Sequence, residues 1–105
     1  MEHNIDRMIA GMPLEDKIGQ LFVVGVQGKA LSADVKRLIE DYRIGGVIYF
    51  SHNVESPAQV AAFSAELQNA ARDAGLPPLW ISIDQEGGMV ARITEGVALI
   101  PGNMA

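Results

Sequence analysis

Three short apolar, β-branched runs recur along the chain: Leu21 to Val26, Val47 to Phe50 and Leu79 to Ile83. Each is closed by polar residues or glycine, and each pair is separated by a stretch with helical periodicity. A continuous apolar run reads as a strand buried on both faces, which is how the strands of parallel sheets read. Parallel neighbours need a connection long enough to hold a helix, and that crossover is right-handed. The alternation therefore predicts an α/β protein with a parallel sheet covered by helices.

The intervening stretches carry matching local signals. Ile5, Met8, Ile9 and Met12 fall at helical spacing, and after Pro13 the positions Leu14, Ile18, Leu21 and Phe22 continue such a face. Two short opening helices are expected, with their methionines in the core. Ser32 is placed to cap a helix whose stripe Val35, Leu38, Ile39 and Tyr42 covers the sheet, while Asp34, Lys36, Arg37, Glu40 and Asp41 face water. Gly45 and Gly46 precede the second strand, so they are no phosphate loop, which would link a strand to a helix N-terminus. Ser56, Pro57 and Gln59 read as N-cap, N1 and N3 of a capping box, with Val60, Phe63 and Leu67 inward and Gly75 as the stop.

Composition removes several function classes. With 8 Lys and Arg against 13 Asp and Glu, the net charge of -5 favours neither nucleic acid nor an anionic membrane. The absence of Cys excludes disulfides, thiolate metal sites and a cysteine nucleophile. Met1 to Arg7 is polar and charged, with no export signal, so a cytoplasmic location is expected. His52 has no Cys or carboxylate at ligand spacing and reads as a solvated loop residue, and Asn53 reads as a turn residue.

In parallel α/β folds ligands bind at the carboxyl ends of strands. Three places qualify: Gln27 with Gly28, Ser51 to Asn53, and Asp84 to Gly88. The third is the most telling, because an apolar strand runs straight into Asp84, Gln85, Glu86, Gly87 and Gly88. If the strand stayed extended, Asp84 and Glu86 would share a side with Cα atoms about 6.6 Å apart. Retaining glycosidases pair two carboxyl groups about 5 to 5.5 Å apart, but they approach the scissile bond from different sides. Two acids this close in sequence do not fit that geometry, and neither is expected to be catalytic.

Ile83-Asp84-Gln85-Glu86-Gly87-Gly88, with Val90 and Arg92 after it, resembles the signature of family 3 glycoside hydrolases, the β-N-acetylhexosaminidase branch in particular. The segments Leu14 to Leu21, Gly45 to Phe50 and Pro101 to Ala105 agree in order and spacing. The resemblance implies the N-terminal portion, about three βα units, of a (β/α)8 TIM-like barrel, as a single partial domain over residues 1–105. It implies retaining hydrolysis of terminal β-linked N-acetylglucosamine, as in peptidoglycan fragments, with no metal or organic cofactor. It also implies that Asp84 holds sugar hydroxyls, with Arg92 and Glu86 as secondary substrate-binding candidates. Glu86 is expected to bond turn amides or pair with Arg92, while Gly87 and Gly88 supply positive φ. Met89 departs from the pattern, where many members have Arg.

The family's nucleophilic Asp and acid/base loop belong to later segments, so these residues alone are not expected to be catalytic. A complete barrel takes about 250 residues. The alternatives are a β-glucosidase-like relative, a non-catalytic partial barrel that self-associates through its open sheet edges, or a remnant without function.

Overall fold

The computed structural model describes residues 2–102. Met1 of the polar opening segment, and Asn103, Met104 and Ala105 of the last motif, lie outside the described residues. Helices α1 (Glu2–Gly11) and α2 (Leu14–Gly19) lead into β1 (Val23–Gly25), α3 (Ala33–Glu40) and β2 (Gly46–Tyr49). A single 3-10 turn (Ser51–Asn53), α4 (Pro57–Asp73) and β3 (Trp80–Ile83) follow. The three strands form one parallel sheet in the order β1-β2-β3, as the alternation requires.

Local signals account for the helix ends. Ser32 Oγ accepts from Val35 N and Ser56 Oγ from Gln59 N, each satisfying an otherwise orphaned first-turn amide. The reciprocal half of the expected capping box is displaced: Gln59 Oε1 accepts from Glu55 N at 2.7 Å, one residue before the cap. The Gln59 side chain is drawn there because its Nε2 also donates to Lys29 O and Asn53 O. At the other end of α4, Gly75 adopts φ 74, and Leu76 N and Gly75 N bond back to Ala71 O and Arg72 O. That pairing is a Schellman closure, and it needs the left-handed residue that glycine supplies at least cost.

Successive strand residues point to opposite faces, so β2 divides its side chains between two environments. Val47 and Tyr49 enter the core with Val35 and Ile39 of α3 and Phe63, Leu67 and Ala71 of α4. The Tyr49 and Phe63 rings stack at 5.3 Å, and the Tyr49 hydroxyl reaches Ser64 Oγ at 2.8 Å. The other face is uncovered. Its register rows are Val23, Gly46 and Trp80, then Gly25, Ile48 and Ser82. Trp80 is 78% exposed there and Val23 52%. Gly46 lets the rows close up: a Cβ on it would stand 2.7 Å from Trp80 O and 3.1 Å from Val23 Cγ2.

This open face corrects part of the sequence reading. The first strand is not buried on both faces; it is three residues long, and Leu21, Phe22 and Val23 are exposed. Much of their apolar surface is left uncovered by the described residues. The same holds for Ile5, Met8 and Ile9 of α1 and Leu14 and Ile18 of α2, so Met8 is not core. Tyr42 lies beyond the end of α3 and is 63% exposed, bordering an apolar cleft of about 420 Å3 with Ile18, Phe22, Val24 and Leu38. No helix among the described residues is long and apolar enough to cross a membrane.

Candidate functional site

Because the strands are parallel neighbours, their carboxyl ends open on one rim. Gln27, Phe50 and Asp84 follow two residues after the last open-face row of Gly25, Ile48 and Ser82. The loops after β1 and β2 are fastened together by Asn53, which is fully buried. Its Nδ2 donates to Val26 O at 3.0 Å and Gly28 O at 2.7 Å, while its Oδ1 accepts from Phe50 N at 2.8 Å. His52 Nε2 also meets Val26 O at 3.0 Å, and its ring stacks on Phe50 at 6.2 Å. His52 is thus exposed yet tied to the residue that follows β1, and Asn53 does more than turn the chain. Sequence spacing hides both roles, because their partners are backbone groups more than twenty positions away.

The segment after β3 is built differently. The strand stops at Ile83, and Gly87 pairs antiparallel with Val90 across a tight turn through Gly88 and Met89. Glu86 N and Gly87 N both donate to Val90 O. Gly87 and Gly88 take φ 92 and 58, as expected for this turn. At Gly87 space adds to the constraint, since a Cβ would stand 2.6 Å from Ile100 O. One step outward, the Gln85 side chain reaches across: Oε1 accepts from Arg92 N at 2.8 Å and Ile93 N at 3.1 Å, and Nε2 donates to Ile93 O at 2.7 Å.

The result brings Arg92 back beside Asp84. Arg92 Nη2 stands 3.9 Å from Asp84 Oδ2, with the side chains 23% and 48% exposed. The expected pairing of Arg92 with Glu86 is not found. Glu86 is exposed, its carboxylate enters none of the turn's hydrogen bonds, and only its backbone N–H holds the turn. The reason is the early strand end: with β3 stopping at Ile83, the hairpin returns residue 92 next to residue 84.

At 3.9 Å the Asp84 and Arg92 groups attract without a direct hydrogen bond, whose donor to acceptor limit is about 3.2 Å. The Asp84 carboxylate has no hydrogen-bond partner among the described residues, and Arg92 Nε is buried without one. An acceptor-only group therefore faces a donor-only group with unused capacity on both. A hydroxyl, which donates and accepts at once, satisfies that couple; a simple anion or cation meets one half and is repelled by the other.

Comparison with known proteins places the fold. Residues 13–105 match the glycosyl hydrolase family 3 N terminal domain. A beta-hexosaminidase of Alkalilimnicola ehrlichii is 40% identical over 79 residues, 75% of this chain and 22% of the relative. The structure of a family 3 beta-N-acetylglucosaminidase from Paenibacillus sp. str. FPU-7 superposes with a TM-score of 0.86 at 50% identity, over 90% of this chain and 18% of that one. NagZ from Neisseria gonorrhoeae, in complex with N-trifluoroacetyl-D-glucosamine, gives a TM-score of 0.66 at 30% identity, over 75% and 22%. The chain thus spans about a fifth of the length of such relatives. Its parallel sheet is the beginning of their barrel, and the chain belongs to glycosyl hydrolase family 3.

Proposed function

We propose that this chain supplies the sugar-holding rim of a retaining hydrolase that releases terminal β-linked N-acetylglucosamine, with peptidoglycan fragments as a natural substrate class. The observation that carries the proposal is the facing pair of Asp84 and Arg92 at the carboxyl end of β3. Asp84 accepts from one or two sugar hydroxyls and Arg92 donates to the same ring. Hydrogen bonds to charged groups are worth about 1.5 to 3 kcal/mol each, enough to fix the ring's orientation. Glu86, turned to solvent, carries no sugar contact in this reading. Nucleophile and acid/base come from other segments of the barrel, since the described rim offers no second carboxyl group across from Asp84. The names of the relatives support N-acetylglucosamine over glucose as the sugar.

The test is hydrolysis by the full gene product of a chromogenic β-N-acetylglucosaminide beside the matching β-glucoside. The first is turned over faster, and Asp84→Ala removes binding while leaving the thermal midpoint close to that of the parent. Preference for the glucoside would move the assignment to the β-glucosidase branch, and unchanged affinity in Asp84→Ala would defeat the role given to that residue.

A second reading is favoured by the open face itself. Trp80 and Val23 are exposed side by side with Gly46 between them, an apolar surface that a second copy of this chain would cover if no other barrel segment does.

A further inference from the structure

We infer that Gln85 is a positioning residue for the proposed sugar site: its amide fixes the backbone of Arg92 and Ile93 and so aims the Arg92 guanidinium at the place a hydroxyl takes beside Asp84. The inference rests on the sugar-holding role proposed above for Asp84 and Arg92, and adds how that pair is built.

The hairpin after β3 has one backbone rung, Gly87 with Val90. In a regular antiparallel ladder the next hydrogen-bonded pair would be Gln85 and Arg92, two steps outward on each arm. Their backbones make no such rung. The Gln85 side chain makes it instead, because a primary amide carries the same donor and acceptor as a peptide group. Its oxygen takes the N–H groups of Arg92 and Ile93, and its nitrogen gives to Ile93 O. Three hydrogen bonds from one exposed side chain thus close a loop that no core contact holds.

The consequence falls on Arg92. A guanidinium on a long side chain has many rotamers, and holding it 3.9 Å from Asp84 requires its Cα to be fixed first. The alternatives at position 85 fail for stated reasons. Glu keeps the acceptors but loses the donor to Ile93 O and adds a negative charge beside Asp84. Met keeps the length and loses all three bonds. Gln85 lies outside the hydrophobic core, so neither change removes buried apolar contact.

The decisive experiment compares Gln85→Met, Arg92→Ala, the double variant and Asp84→Ala in the full gene product. The probe is N-acetylglucosamine, titrated well below each variant's thermal midpoint, and amide hydrogen exchange is followed without sugar. Gln85→Met is expected to speed exchange at the Arg92 and Ile93 amides. It should also weaken N-acetylglucosamine binding by about tenfold, the scale of one lost hydrogen bond. In the Arg92→Ala background the same change should cost nothing further, because the group being aimed is gone; a merely structural role would instead add to the loss. Unchanged exchange, or equal losses with and without Arg92, would overturn the inference. Unchanged binding in Asp84→Ala would sink the sugar-holding reading separately, while exchange at Arg92 still decides whether Gln85 fixes that backbone.

Discussion

The side-chain amide of Asn53 donates to the carbonyl of Gly28 at 2.7 Å, across twenty-five positions of sequence and with Asn53 fully buried. This contact, with the bonds to Val26 O and from Phe50 N, makes the rim loops after β1 and β2 one unit. Asn53→Ala removes three hydrogen bonds at once from a fully buried side chain and is expected to cost about 2 to 4 kcal/mol. Asn53→Asp should cost at least as much, because a carboxylate would face two carbonyl oxygens. Urea unfolding checks both, with the midpoint falling at constant slope. A loss under about 1 kcal/mol would mean that water or His52 replaces the clamp.

Two glycines of the open face should respond differently to the same change. At Gly46 a Cβ meets Trp80 O at 2.7 Å, a backbone atom that moves only if β2 and β3 separate. At Gly25 it meets the edge of the Phe50 ring at 3.0 Å, and that ring is partly exposed and able to swing. Gly46→Ala is therefore expected to destabilise by about 1 to 3 kcal/mol, the usual range for overpacking, and Gly25→Ala by clearly less. Thermal unfolding of the two variants side by side decides it, and equal losses would show that the sheet does not hold Trp80 in place.

The parts of this fold that are legible in the sequence are those set by neighbours along the chain. Ser32 and Ser56 cap because a hydroxyl before a helix meets an orphan amide three residues on, and Gly75 stops α4 because its φ is positive. The apolar runs place the strands within one or two residues for the same local reason. Burial is less legible. Leu21, Phe22 and Val23 show that β1 is built to be covered, but a sequence pattern does not say whether the covering segments are among the residues at hand. The partner of Arg92 is out of reach for another reason: choosing Asp84 over Glu86 depends on β3 ending at Ile83 and on the span of the hairpin, and Glu86 is the nearer acid in sequence.

The Tyr49 hydroxyl links core packing to pH. Burial raises its pKa above the ordinary phenol value, and the hydrogen bond to Ser64 opposes this in part. A raised folded pKa means that the unfolded chain releases this proton first, so stability is intact below about pH 10 and declines as pH rises through that value toward the folded pKa. Tyr49→Phe removes this alkaline loss and leaves Ser64 without its partner, at about 1 kcal/mol near neutrality. Stability curves at pH 8 and above about pH 10 should therefore converge for the two proteins. Parallel curves would assign the alkaline sensitivity to other groups.

Trp80 is the sole tryptophan and stands on the uncovered face, 78% exposed, so its emission reports what covers that face. If a second copy of the 105-residue chain docks there, emission should shift to shorter wavelength with concentration, in step with a doubling of mass. Burying roughly 150 Å2 of the indole at about 25 cal/mol per Å2 is worth about 4 kcal/mol, a large share of what a weak dimer needs. Val23→Lys places a charge two strands away on the same row and should abolish both shifts without touching the core, since Val23 is outside it. Emission and mass that ignore concentration would rule out a second copy on this face and leave its apolar residues to other segments of the family barrel.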